Sequence, residues 1–258
     1  MKIGVLQLDI EKNIDGNILK IIEKIKDTDA EIIVLPELSD RGYLYENREE
    51  LLNLSSNAEE NKLVKALQIE TLKNKKAVIV GIAERVEENV YNSAVVIENG
   101  NITGIYRKVH LTDFEKRFFT SGEKIEVFEI KGIKVGIQIC FDIWFPEISR
   151  EQIEKGLDII FVLGNFGGIT TYEICKVRAI ENLAPIVLCN RVGEEKTDEI
   201  LASFLGNSTV YDIMGNELIK PIKFQERYIE VEIKEFRKNS NIMCSNFLEE
   251  IKKHKINI

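Results

Sequence analysis

Three side chains able to act together on a carbonyl carbon each stand at the end of an apolar run. Val135-Gly136-Ile137-Gln138-Ile139 delivers Cys140, Ile32-Ile33-Val34-Leu35-Pro36 delivers Glu37, and Gly104-Ile105-Tyr106-Arg107 delivers Lys108. A thiol, a carboxylate and an ammonium are the parts for acyl transfer through a covalent thioester. An amide carbonyl is a poor electrophile, so its cleavage needs a strong nucleophile and a cationic or N–H cradle for the oxygen as it gains charge. Cys140 is the candidate nucleophile. Lys108 and the backbone N–H of Phe141 are the natural oxyanion donors, with the lysine also favouring a thiolate at Cys140. Glu37 would take the thiol proton, deliver it to the departing amine and then activate water.

Strands and helices alternate along the chain to carry these ends. Lys2 to Leu8 reads as a strand, and Ile18, Ile21, Ile22 and Ile25 fall at helical spacing on one buried face ending near Asp27. Glu31 to Leu35 is the next strand, Glu59 to Lys73 a helix, and Ala77 to Ala83 a strand containing Gly81. Val90 to Ile97 and Ile102 to Tyr106 flank Asn99-Gly100, a dipeptide suited to the positive φ angles of a tight hairpin. That hairpin leads to Lys108. A second one, Ile125 to Ile130 and Ile133 to Ile139 around Lys131-Gly132, leads to Cys140. Pro146 suits the first turn of a helix to about Lys155, and Leu157 to Leu163 reads as a buried strand. Helix 171–183, strand 185–190, a polar loop over 192–199, strands near 203–211 and 227–233 and a final helix near 234–252 complete the expected order. Hairpins mixed with βα units predict two sheets covered by helices, in one domain.

Composition narrows the class. A chain of 258 residues with 44% hydrophobic content can bury a substantial core, and a net charge of -8 argues against a nucleic-acid surface or an anionic membrane face. Asp9 interrupts the first apolar run too early for a signal peptide, and no stretch approaches the roughly 20 apolar residues of a membrane span. The expected location is the cytoplasm. The four cysteines, at 140, 175, 189 and 244, show no CxxC spacing, and the only histidines are His110 and His254, so reduced thiols and no metal or other cofactor are expected.

Several residues invite plainer readings. Cys175 and Cys189 have apolar neighbours and read as core, while Arg178 and Glu181 at i, i+3 read as a structural ion pair. Gly164-Asn165-Phe166-Gly167-Gly168 lacks a lysine at phosphate-loop spacing and reads as a rim loop of the site. Glu115 could merely pair with Lys116 or Arg117 at the surface.

Leu35-Pro36-Glu37-Leu38 with Gly42-Tyr43, Tyr106-Arg107-Lys108-Val109-His110-Leu111, and Cys140-Phe141-Asp142 with Phe145-Pro146-Glu147 resemble, in order and spacing, the signature segments of the nitrilase or carbon-nitrogen hydrolase superfamily. The resemblance continues through Arg178-Ala179-Ile180-Glu181-Asn182 and Cys189-Asn190-Arg191-Val192-Gly193-Glu194-Glu195. It covers residues 3 to 233, and the pattern is lost from Phe236 onward. It implies an α/β, four-layer α-β-β-α sandwich with two mixed sheets, and a homodimer or larger homo-oligomer. It also implies a catalytic Glu37-Lys108-Cys140 triad, with Glu115 where several amidases carry a second glutamate, and a structural His110. The Cys-Phe-Asp start resembles the amidase, carbamoylase and ω-amidase branches more than the nitrile-hydrolysing one, where Trp-Glu usually follows the cysteine. With no synthetase segment and no membrane spans, the glutamine-dependent NAD synthetase and lipoprotein acyltransferase arrangements are not expected.

The expectation is therefore a hydrolase of a small amide that releases ammonia. A nitrilase or an N-carbamoyl amine hydrolase using the same triad remains an alternative, as does a catalytically silent binding protein, against which the intact triad argues. Substrate-side groups would come from loops at 41–45, 142–145 and 165–171, with Tyr43, Phe141 and Asn165 as candidate oxyanion or substrate-binding residues.

Overall fold

A computed structural model describes residues 1–253. The elements in chain order are β1 (Lys2–Gln7), α1 (Ile14–Ile25), β2 (Ile32–Val34), α2 (Arg48–Leu54), α3 (Lys62–Asn74), β3 (Ala77–Val86), β4 (Asn89–Glu98) and β5 (Asn101–Arg107). After them come β6 (Val127–Ile130), β7 (Ile133–Ile139), α4 (Pro146–Glu154), β8 (Ile159–Gly164), α5 (Thr170–Asn182) and β9 (Ile186–Asn190). The chain continues with β10 (Val192–Lys196), β11 (Leu201–Leu205), β12 (Thr209–Tyr211), β13 (Arg227–Glu232) and α6 (Phe247–Lys252).

Two mixed sheets form the centre. One runs β13-β1-β2-β3-β4-β5 and the other β12-β9-β8-β7-β6, with β10 and β11 as a separate two-stranded ribbon. The period-2 alternation of the strands sorts their side chains between layers. Ile3, Val5, Ile32, Val34, Ile79 and Val96 of the first sheet meet Val135, Ile137, Ile139, Phe161 and Val187 of the second in one buried cluster. The opposite face of the first sheet, with Leu6, Ile33, Val78 and Val80, is covered by Ile21 and Ile25 of α1 and by Leu63 and Leu67 of α3. The outer face of the second sheet, with Ile160, Val162 and Leu188, is covered by Ile153 of α4 and by Cys175 and Ala179 of α5. The expected α-β-β-α layering is the result.

The turns follow local chemistry. Asn99 and Gly100 adopt φ of 49° and 83°, and Lys131 and Gly132 adopt 52° and 76°, so both expected hairpins close through left-handed pairs. Gly81 has a different task. A Cβ there would sit 2.5 Å from the carbonyl oxygen of Pro36 and 2.7 Å from Cα of Glu37. Only glycine lets the backbone that carries Glu37 lie against β3.

Two expectations are corrected. The polar stretch 192–199 is not a loop: Val192–Lys196 pairs antiparallel with Leu201–Leu205. A two-stranded ribbon need not bury a continuous apolar face, so Glu194, Glu195 and Lys196 gave no strand signal. The helix expected over 234–252 is confined to Phe247–Lys252. Before it, the backbone N–H groups of Arg237 and Lys238 donate to the carbonyls of Asp158 and Leu183, which ties the chain to the loops before β8 and β9. Lys238-Asn239-Ser240-Asn241 has no apolar spacing that would favour helix over these bonds. His254 lies outside the described residues.

Candidate active site

Each of the three anticipated residues emerges where a central strand ends. Glu37 follows β2 in a turn whose next residue, Leu38, has φ of 50°; Lys108 follows β5; Cys140 follows β7 and opens a 3-10 turn over Cys140–Trp144. Cys140 itself has φ of 49°, in the left-handed region that costs a non-glycine residue on the order of 1–3 kcal/mol. That sharp elbow turns the side chain away from the sheet at the moment the strand ends. The early N–H groups of the 3-10 turn, Phe141's among them, have no acceptor inside the turn and are the donors expected for an oxyanion.

Glu37, Lys108 and Glu115 form one completely buried ionic cluster. Lys108 Nζ donates to Oε1 of Glu37 at 2.9 Å and to Oε1 of Glu115 at 2.5 Å. Glu115 is thus a member of the site and not a partner of Lys116, which pairs with Asp113 instead. Its second oxygen accepts the N–H of Thr112 at 2.9 Å, while its own N–H donates to Oγ1 of Thr112, a reciprocal bond that pins the 3-10 turn Glu115–Arg117.

Electrostatics make the group interdependent. Burial pushes the Glu37 carboxyl up, the Lys108 charge opposes this, and the charge of Glu115 adds to the rise. Burial disfavours the Lys108 ammonium, but the summed negative field of Cys140, Glu115 and Glu37 overcomes it and holds the lysine charged. Cys140 corrects an expectation. Lys108 does favour its thiolate, yet burial and the Glu37 charge outweigh that help, and the thiol lies well above its ordinary value. At rest Cys140 is therefore a thiol, and its ionisation calls for a base. The backbone N–H of Asn165 bonds the sulfur and favours the thiolate form.

The elbow is braced from several directions. Asp142, expected on the substrate side, is instead buried: Oδ2 accepts the Tyr106 hydroxyl at 2.8 Å and the Ile139 N–H at 3.1 Å, and Oδ1 accepts the His110 N–H at 2.8 Å. A carboxylate this fully engaged has a structural task. The His110 ring stacks on Phe145 with centroids 3.7 Å apart. Arg178 pairs with Glu181 at 3.0 Å and also donates to the carbonyls of Ile143 and Trp144, so the ion pair holds the elbow's far end. Cys175 and Cys189 are fully buried, and all four cysteines are free.

The substrate-side candidates divide. The Tyr43 ring packs against Phe114 and Phe204, with Glu115, Lys108 and Cys140 among the charges that act on its hydroxyl. The Glu195 carboxylate anchors its backbone by accepting the N–H groups of Tyr43 and Leu44, and the fully buried Arg191 pairs with Glu195 in turn. Phe141 contacts Trp144 and Phe145 with centroids 6.0 and 5.1 Å apart. Asn190 clamps the rim loop beyond Asn165 by bonding both the N–H and the carbonyl of Phe166.

One residue was missed. Asn92 of β4 is completely buried and donates to Oε1 of Glu37 at 2.6 Å and to Oε1 of Glu115 at 3.3 Å. Its signal was an amide within a largely apolar strand, a position that buried polar groups hold only with partners.

A family model for carbon-nitrogen hydrolase matches residues 2–237. The chain is 35% identical over 192 residues to a nitrilase of Pyrococcus abyssi, covering 74% of this chain and 72% of that one. It is 30% identical over 228 residues to a 2-oxoglutaramate amidase of Bacillus subtilis, covering 84% of each. Among solved structures, a carbon-nitrogen hydrolase of Helicobacter pylori superposes with a TM-score of 0.78 at 27% identity, over 89% of this chain and 88% of the other.

Proposed function

The chain belongs to the carbon-nitrogen hydrolase family, and from that premise we propose that it cleaves the C–N bond of a small amide through a thioester on Cys140. The observation that carries this reading is the buried Lys108 ammonium held between Glu37 and Glu115 in electrostatic reach of Cys140. In the first half-reaction Glu37 accepts the thiol proton as the sulfur bonds to the carbonyl carbon. Lys108 and the Phe141 N–H stabilise the oxygen as its π electrons move onto it. The C–N bond then breaks, the nitrogen takes the proton from Glu37, and ammonia departs from a primary amide. In the second, Glu37 removes a proton from water, the oxygen attacks the thioester, and the sulfur leaves and regains a proton as the acid is released.

Glu115 acts in this scheme by fixing the position of Lys108, and Tyr43, Phe141 and Asn165 face the acyl group. The raised Cys140 favours proton removal in step with attack over a preformed ion pair. The protein is proposed to work as a cytoplasmic homodimer or larger homo-oligomer without a cofactor. Among the described residues no helix is long and apolar enough to cross a membrane.

Hydrolysis of a nitrile is the second reading, favoured by the 35% identity to a nitrilase. A panel of small ω-amides, N-carbamoyl amines and nitriles assayed for ammonia, with Cys140→Ala as control, tests both. Ammonia from an amide supports the amidase. Ammonia and acid from nitriles, with inert amides, replaces it.

A further inference from the structure

Asn92 does more in this site than fill a strand position. Its side-chain amide reaches Oε1 of Glu37 at 2.6 Å and Oε1 of Glu115 at 3.3 Å, the same two oxygens that Lys108 contacts at 2.9 and 2.5 Å. Because an ionised carboxylate only accepts, the nitrogen must face the glutamates. The backbone carbonyl of Asn92 also accepts the Lys108 N–H at 2.9 Å. A single residue of β4 therefore ties together three segments that arrive from the ends of β2 and β5 and from the 3-10 turn at Glu115.

The other half of the amide is the informative one. Oδ1 of Asn92 is buried with no hydrogen-bond partner. An unsatisfied buried acceptor costs about 1–3 kcal/mol, and an apolar side chain of the same size would avoid that cost. Two carboxylates drawn to one lysine in a completely buried site supply the reason to bear it. Left to themselves, like charges so placed share a proton, and one of the two ceases to be a base. A second donor that is neutral and cannot itself give up a proton stabilises both in the ionised form. A second lysine would do so only by adding a charge that competes for the oxyanion.

We propose that Asn92 is a positioning residue that keeps Glu37 ionised and aligned for the Cys140 proton by bridging Glu37 and Glu115 opposite Lys108. The inference rests on Glu37 being the base in the reading above. Among the described residues, the titratable side chains that act on Glu37 or its cluster include Lys108 after β5, Glu115 from its 3-10 turn, Cys140 at the elbow and Tyr43 from the loop after β2.

The test uses Asn92→Leu, close in size without a donor, and Asn92→Ser, smaller and still polar. Intact-mass measurement follows alkylation of Cys140 by iodoacetamide across pH, beside kcat and KM for a small amide and a thermal melt. We expect folded variants whose alkylation and kcat/KM both have acid limbs displaced to higher pH by about half a unit or more, because Glu37 loses a bond to its ionised form. We expect kcat to fall about tenfold or more with KM within about twofold, as for a group acting through the base. Should Asn92→Leu fail to fold, Asn92→Ser is read alone. Folded variants with parental acid limbs, or loss of folding in both, overturn the proposal. If the parent turns over no amide, the substrate reading fails, whereas the alkylation limb still decides the role of Asn92.

Discussion

The Tyr106 hydroxyl donates to Oδ2 of Asp142 at 2.8 Å, and that bond joins the two sheets at the point where one delivers Lys108 and the other Cys140. Tyr106 precedes the lysine by two residues and Asp142 follows the cysteine by two. The relative placement of Lys108 and Cys140 is thus set by a short, buried path through Tyr106 and Asp142.

Tyr106→Phe removes only this donor and leaves Asp142 the N–H groups of Ile139 and His110. A hydrogen bond to a charged group contributes about 1.5–3 kcal/mol, so a fall in stability of that order is expected from denaturant titration. Turnover should fall as well, because misplacing reacting groups by a fraction of an ångström weakens every later step.

Cys140→Ala should abolish turnover with little effect on the melting temperature. Cys140 is half-buried, and the sulfur's loss is a small packing change beside the loss of the proposed nucleophile. Retained ammonia release in this variant would remove the thioester from the scheme.

Lys108→Met leaves two carboxylates buried without their cation. We expect kcat to drop by about a hundredfold or more and stability by about 3–5 kcal/mol at neutral pH. Glu37 is already raised by burial against the opposing pull of Lys108, so removing the ammonium raises it further. A carboxyl raised by folding favours the folded state when protonated. The variant's deficit relative to the parent should therefore shrink as pH falls below neutrality, which parallel melts across pH can follow.

The two glutamates should fail differently. Glu37→Gln removes the proposed proton carrier of both half-reactions, so little acyl-enzyme should form and what forms should persist. Glu115→Gln keeps a hydrogen-bonding group beside Lys108 and should slow acylation while releasing thioester at a rate nearer the parent's. Rapid quench with intact-mass detection of the Cys140 adduct reads both steps. The opposite pattern would exchange the roles.

Asp40 supplies a pH effect away from the chemistry. Burial pushes its carboxyl up to about 6, against hydrogen bonds from Asn61 and the Ala83 N–H. The folded form binds this proton more tightly than the unfolded chain, so the group favours folding below about pH 4. That contribution is lost as pH rises through about 6, a change of about 3 kcal/mol. The stability difference between the parent and Asp40→Asn should move by that order between pH 4 and 7.

What the sequence determined is whatever depends on short-range order. Apolar runs marked the central strands, Asn99-Gly100 and Lys131-Gly132 marked the hairpins, and Glu37, Lys108 and Cys140 stood out as candidates because each ends an apolar run. Only the tertiary structure decided which charges meet. Glu115 could pair with Lys116 on one turn or with Lys108 in the core, and Asp142 could face substrate or brace the elbow; the choice rests on side-chain direction and burial, which a linear pattern does not carry. Asn92 escaped notice for the same reason. It lies 55 residues from Glu37 and 23 from Glu115, and an amide's partners are set by the sheet register and turns that bring such distant segments within 3.3 Å. The direction of the Cys140 shift was likewise beyond local reading, since a lysine that lowers a thiol in the open is outweighed here by burial and the Glu37 charge, and both exist only once the layers close.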